Sequence, residues 1–166
     1  MPLKIDASVE GVIKEFEERI PGAMERVGVP GLSIALIRDA ECVWAKGFGV
    51  RNIETGEPVT EDTLFVGCSL SKPVSAYAAL KLCENGILAL DESLDVYLYE
   101  PFLSHEPRLG EITLRMVLAH TSGLSHSSFP KLALPPGQRY SYSTGGFAYL
   151  LQVIEKRTGM SFPPFM

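Results

Sequence analysis

The chain has 166 residues, enough for one ordinary domain with a buried core. It is 46% hydrophobic and 21% charged with a formal net charge of −5, which is the composition of a soluble globular protein. No basic stripe is offered to nucleic acid, and no apolar run is long enough to span a bilayer, so neither partner is expected. The basic clusters at 14–19 and at Lys156-Arg157 adjoin glutamates and read as solvated helix faces. The start, Met1 to Asp6, lacks the charged and apolar stretches of a secretory signal, so either a cytoplasmic protein or one whose signal is not included in this sequence is expected. Cys42, Cys68 and Cys83 are odd in number and have no metal-type spacing, so reduced, buried thiols are expected.

In chain order, Ser8 is a helix cap, and Val9, Val12, Ile13, Phe16 and Ile20 recur on one face. This predicts a helix to about Ile20, broken by Pro21-Gly22. Val29-Pro30-Gly31 leads into the β-rich stretch Leu32 to Ile37. Arg38 to Glu41 is turn-like, and Cys42 to Val50 is a second β-prone run, so an antiparallel hairpin is predicted. Thr55-Gly56 marks a further turn. An Ala-rich helix is then predicted from Ser69 to about Glu84, stopped by Asn85-Gly86. It is apolar nearly all round, a pattern usually buried at the centre of a domain. Leu88 to Leu98 is a connector. Ile112 to Ala119 is a short helix candidate capped by Thr113. His120 to Pro136 is a polar loop, and Gly145 to Thr158 a helix closed by Gly159. There is no repeat and no low-complexity tract.

Ser69-Leu70-Ser71-Lys72 places a serine and a lysine three residues apart, one turn along a helical face. The amine can therefore reach the hydroxyl. A serine is a poor nucleophile until a base takes its proton, and burial beside a helix N-terminus lowers a lysine's pKa toward that task. The Ser69 N–H, at the helix start, is a natural donor to a developing oxyanion. Pro73 cannot bond to the Ser69 carbonyl, so the backbone at Ser69 is expected to leave regular helix geometry. The tetrapeptide alone is also that of a helix cap whose lysine points to solvent. A second copy, Ser128 to Lys131, lies in a Pro-bearing loop with no helix after it.

Four segments in order resemble the serine β-lactamase and penicillin-binding-protein superfamily, in particular its class C β-lactamase-like branch of esterases and D-aminopeptidases. They are Phe65 to Pro73 around the nucleophile, Glu84 to Asp91, Ile112 to Leu124, and Pro136-Gly137 with Tyr140 to Phe147. The resemblance implies an α+β, β-lactamase/DD-peptidase-like fold, with antiparallel strands, packed helices and a mainly helical lobe. The N-terminal helix and hairpin would occupy 8–60, and the nucleophile helix and helical lobe 63–166. It implies Ser69 as nucleophile, with Lys72 and Tyr142 handling its proton as a coupled pair, and Tyr140 outside the site. Thr144 stands where the family commonly has Asn, so substrate contact there changes from an amide to one hydroxyl, which shifts the expected substrate from β-lactam toward ester or amide. His120 is expected as a hydrogen-bonding scaffold residue.

The implied reaction is acyl transfer through a Ser69 acyl-enzyme on an ester, amide or β-lactam carbonyl of a small-molecule or peptide substrate, with no cofactor and no metal. Family members also carry a third motif on later strands. Lys156-Arg157-Thr158-Gly159 only imitates it and reads as a helix C-terminus. The chain is therefore expected to be an N-terminal portion, with the C-terminal strands missing, activity impaired and an open sheet edge prone to self-association. The alternative is a non-catalytic remnant or binding module that needs a partner to complete its sheet. A His120–His126 metal site is not expected, since the loop supplies no further ligand cluster, and a triad using His105, His120 or His126 would leave Lys72 and Tyr142 unexplained.

Overall fold

The computed structural model describes residues 8–127 and 129–162, in two compact units, Met1–Val66 and Gly67–Met166. The first unit opens with α1 (Val9–Val27), where the Ser8 hydroxyl accepts from the Gly11 N–H at 3.1 Å. Contrary to the expected break, Pro21 lies inside this helix. The apolar stripe explains why: Met24, which is buried, continues the face begun by Phe16 and Ile20. Burying that face outweighs the hydrogen bond lost at Pro21. Gly28, with φ of 68°, ends the helix.

Strands β1 (Gly31–Arg38) and β2 (Glu41–Gly49) pair antiparallel, with Leu32 opposite Phe48 and Leu36 opposite Trp44. A bulge interrupts the register between Leu36 and Ile37. The connecting residues Asp39 and Ala40 both have positive φ, 50° and 63°, the twist that a two-residue hairpin needs. Trp44 packs between Phe16 and Phe48, with ring centroids 6.2 and 6.4 Å away, and Lys46 pairs with Glu17 at 2.6 Å. Among the described residues the sheet has two strands.

The second unit holds α2 (Ser71–Glu84), α3 (Leu114–Leu118) and α4 (Thr144–Thr158), joined by 3-10 turns at Leu94–Tyr97 and Pro107–Glu111. The expected caps are found. Thr113 accepts from the Met116 N–H, Gly86 stops α2 with φ of 70°, and Gly159 closes α4 in a left-handed conformation. Lys156-Arg157 is thus the end of a helix. The core joins Ala78, Ala79 and Leu82 of α2 to Leu114 and Val117 of α3 and Leu150, Val153 and Ile154 of α4. Tyr149 stacks on Phe102 at 4.6 Å.

Two expectations need correction. Helix α2 is buried on one side only: Val74, Tyr77 and Leu80, with Leu70 just ahead of the helix, lie exposed opposite Ala78, Ala79 and Leu82, because nothing in this unit packs over them. Cys42 and Cys68 are free but exposed, and Cys83 is half-buried. Cys42 lies by the hairpin turn and Cys68 ahead of α2, where neither has a core to enter. Phe162, the last described residue, packs against the core. Residues 1–7, Ser128 and residues 163–166 lie outside the described residues. No described helix is long and apolar enough to cross a membrane.

Candidate active site

Ser69 lies in a short 3-10 turn, Cys68–Leu70, that runs directly into α2. Pro73 accounts for this. It has no N–H for the Ser69 carbonyl, and the turn closes more tightly, with the Ser71 N–H bonded back to the Cys68 carbonyl. The first backbone bond of the turn runs from Leu70 N–H to Gly67 carbonyl, 2.9 Å, leaving the Ser69 N–H ahead of the ladder. Cys68 takes a φ of 45°, an unusual value for a residue with a side chain. The Ser71 hydroxyl donates to the Cys68 carbonyl at 2.7 Å, so Ser71 is occupied in holding the turn.

The Lys72 Nζ donates to Ser69 Oγ at 3.1 Å. Lysine and serine therefore meet across one turn, as their spacing implies, although Lys72 is only half-buried. Hydrogen bonding from Ser69, and then from Lys72 with its charge, holds the Tyr142 phenol below its ordinary pKa, while desolvation opposes this. Lys72 Nζ lies 5.0 Å from the Tyr142 ring centroid and 5.8 Å from that of Phe147. Tyr140 is 66% exposed against 37% for Tyr142, and it meets only the edge of the His120 ring, 5.9 Å away.

Tyr142 is held by its neighbours. The Ser141 N–H donates to the His120 carbonyl at 2.7 Å, and the Ser143 N–H to His120 Nδ1 at 3.1 Å. The His120 ring lies 4.5 Å from the Tyr142 ring and 5.3 Å from Phe147. Ser143 caps α4 by accepting from the Gly146 N–H at 2.8 Å. Thr144, the residue in place of Asn, bonds through Oγ1 to His126 Nδ1 at 2.7 Å, and the His126 ring stands 5.3 Å from Tyr142. Both imidazoles are thus engaged away from Ser69. An open cleft of about 330 Å³ is lined by Ser69, Lys72, Leu118, His120, Tyr142 and Phe147, among others. The second unit supplies every one of these residues.

The profile of the beta-lactamase family matches residues 16–166. The chain belongs to the beta-lactamase family. This beta-lactamase-family chain is 33% identical over 128 residues to the esterase EstB of Burkholderia gladioli, covering 74% of this chain and 29% of that protein. It is 32% identical over 103 residues to the human mitochondrial serine beta-lactamase-like protein LACTB, covering 61% of this chain and 19% of that one. The crystal structure of a class C beta-lactamase superposes with a TM-score of 0.80 at 25% identity, covering 95% of this chain and 48% of the other. The chain therefore falls in the class C-like part of the serine-hydrolase superfamily, with an α+β fold, and it spans less than half the length of these relatives. Sequence reasoning named Ser69, Lys72, Tyr142, Thr144 and His120 but missed the His126–Thr144 bond and the Phe147 wall. His126 was weighed only as a metal or triad residue, and nothing in the sequence ties it to Thr144, because only the fold brings residues 126 and 144 together.

Proposed function

We propose that this beta-lactamase-family chain carries acyl-transfer machinery, with Ser69 as nucleophile and Lys72 and Tyr142 as a coupled proton-handling pair. The observation that carries this is the Lys72 Nζ to Ser69 Oγ bond of 3.1 Å, with the Tyr142 phenol drawn into the same cluster. Ser69 Oγ attacks an ester, amide or β-lactam carbonyl, its proton passes to the Lys72–Tyr142 pair, and the pair gives it to the departing oxygen or nitrogen as the C–O or C–N bond breaks and the acyl-enzyme forms. The Ser69 N–H at the start of the turn faces the developing oxyanion. Water then releases the acyl group. Likeness to an esterase supports ester substrates, and Thr144, whose hydroxyl is bonded to His126, offers one hydroxyl where an amide is common in the family.

Mass spectrometry after incubation with a fluorophosphonate or a penicillin tests this. One adduct on Ser69 is expected, with none on Ser71 or Ser128. Labelling that survives Ser69→Ala would defeat the assignment. A second reading is a binding module without turnover, completed by a partner. The open apolar side of α2 favours it, and a folded chain that never acylates would establish it.

A further inference from the structure

We propose that His120 is a positioning residue for Tyr142 and that its protonation disarms the site: neutral, it clamps the backbone on both sides of Tyr142; charged, it cannot. This rests on the acyl-transfer role of the Ser69 cluster. The clamp has two arms. The His120 carbonyl accepts from Ser141 N–H at 2.7 Å, and Nδ1 accepts from Ser143 N–H at 3.1 Å. Between those two donors sits Tyr142, whose ring lies 4.5 Å from the imidazole.

A backbone amide can only donate, so His120 Nδ1 must be bare and any ring proton must sit on Nε2. When Nδ1 takes a proton from solvent, two N–H groups face each other and the Ser143 arm is lost. A new positive charge also appears near Lys72. The groups that face the ring are Lys72 from α2 and Tyr140 and Tyr142 from the segment before α4, with apolar Phe147 from α4 itself. Burial, and then the Lys72 charge, push the His120 pKa below its ordinary value. The clamp therefore stands above the ordinary imidazole pKa of about 6.5. It is lost as the pH falls through the lower folded value.

His120 also sits at a φ of 56°, which few side chains tolerate. Asn tolerates it, carries an acceptor at a position matching Nδ1, and cannot titrate. Fluorophosphonate acylation rates against pH, in wild type and His120→Asn, test the proposal. In wild type the rate should fall about tenfold per pH unit below the His120 pKa. In His120→Asn that acid limb should move or vanish while the neutral-pH rate stays within about tenfold of wild type. An acid limb unmoved in His120→Asn assigns it to the Lys72–Tyr142 pair and overturns the proposal. Nitrogen-15 NMR of the wild-type imidazole is the second arm, independent of activity and of variant folding. A bare Nδ1 at neutral pH, with the Ser143 amide shift following the His120 titration, is expected. A protonated Nδ1 at neutral pH, or a Ser143 amide indifferent to the titration, overturns the proposal. A wild-type chain that never acylates refutes the acyl-transfer reading instead and leaves the NMR arm to decide on His120.

Discussion

Lys72, in the first turn of α2, reaches back to Ser69 in the 3-10 turn that leads into it, whereas Tyr142 arrives from a segment 70 residues on, and the two make separable contributions. Lys72→Met keeps an apolar stem and removes the amine. Acylation of Ser69 should fall by about a hundredfold or more, the range of a positioned acid–base group. Near-normal acylation in a folded Lys72→Met protein refutes the role. The same variant should raise the Tyr142 pKa, since the Lys72 hydrogen bond and charge are two of the influences holding it down. NMR titration of ring-labelled tyrosine reads this directly. Tyr142→Phe should abolish reactivity with little loss of fold, because the phenol is partly exposed and only a hydroxyl goes. Tyr140→Phe should be close to neutral, and the opposite ranking would show the motif placed two residues out. At this scale the sequence was informative where chemistry depends on short spacing. Ser69 and Lys72 are one turn apart in any helix. Tyr142 was reachable only through resemblance, and the His126–Thr144 bond depends on how a loop returns to the start of α4.

The start of α4 is the element that sets Tyr142 in place, and its packing is tight. Ser143 is buried, and its hydroxyl satisfies the Gly146 N–H. Ser143→Ala should cost about 1 kcal/mol in stability, the usual value of a lost cap, measured by denaturant unfolding. A side chain at Gly145 would meet the Ser125 carbonyl oxygen at 2.8 Å and Pro130 Cβ at 2.6 Å. Gly145→Ala should therefore destabilise by about 1–3 kcal/mol, and an unchanged unfolding midpoint would show the 125–130 loop free to yield. Helix ends were legible because caps are local: Ser8, Thr113, Asn85-Gly86 and Gly159 all lie where the chemistry of their side chains or backbones requires. Two features were not local. Pro21 reads as a breaker, yet burial of Met24 carries α1 past it. The apolar composition of α2 reads as burial all round, but composition does not say which elements are present to cover each side.

Each unit by itself leaves apolar surface open to a second molecule. In the first, β1 and β2 form a two-stranded sheet among the described residues, so each strand has an outer edge of backbone donors and acceptors, that of β2 met at its Gly49 end by the Val59 N–H. Ile37 and Val43, both exposed near the bulge, make the turn end of that sheet apolar as well. Unpaired edges of this kind template strand addition. In the second unit, Leu70, Val74, Tyr77 and Leu80 form an exposed stripe along α2. Single exposed apolar side chains are ordinary, but an aligned set on one helix side is a contact surface. The isolated 166-residue chain should accordingly self-associate, seen as a concentration-dependent sedimentation coefficient in analytical ultracentrifugation. Two variants apportion the effect. Ile37→Lys with Val43→Lys places charge beside the sheet edge, a device natural edges use against pairing. Tyr77→Lys with Leu80→Glu breaks the α2 stripe instead. If edge pairing dominates, the first pair should return the protein toward monomer and the second should not. The reverse result assigns association to α2, and a wild-type chain that stays monomeric across the concentration range shows both surfaces to be inert in solution.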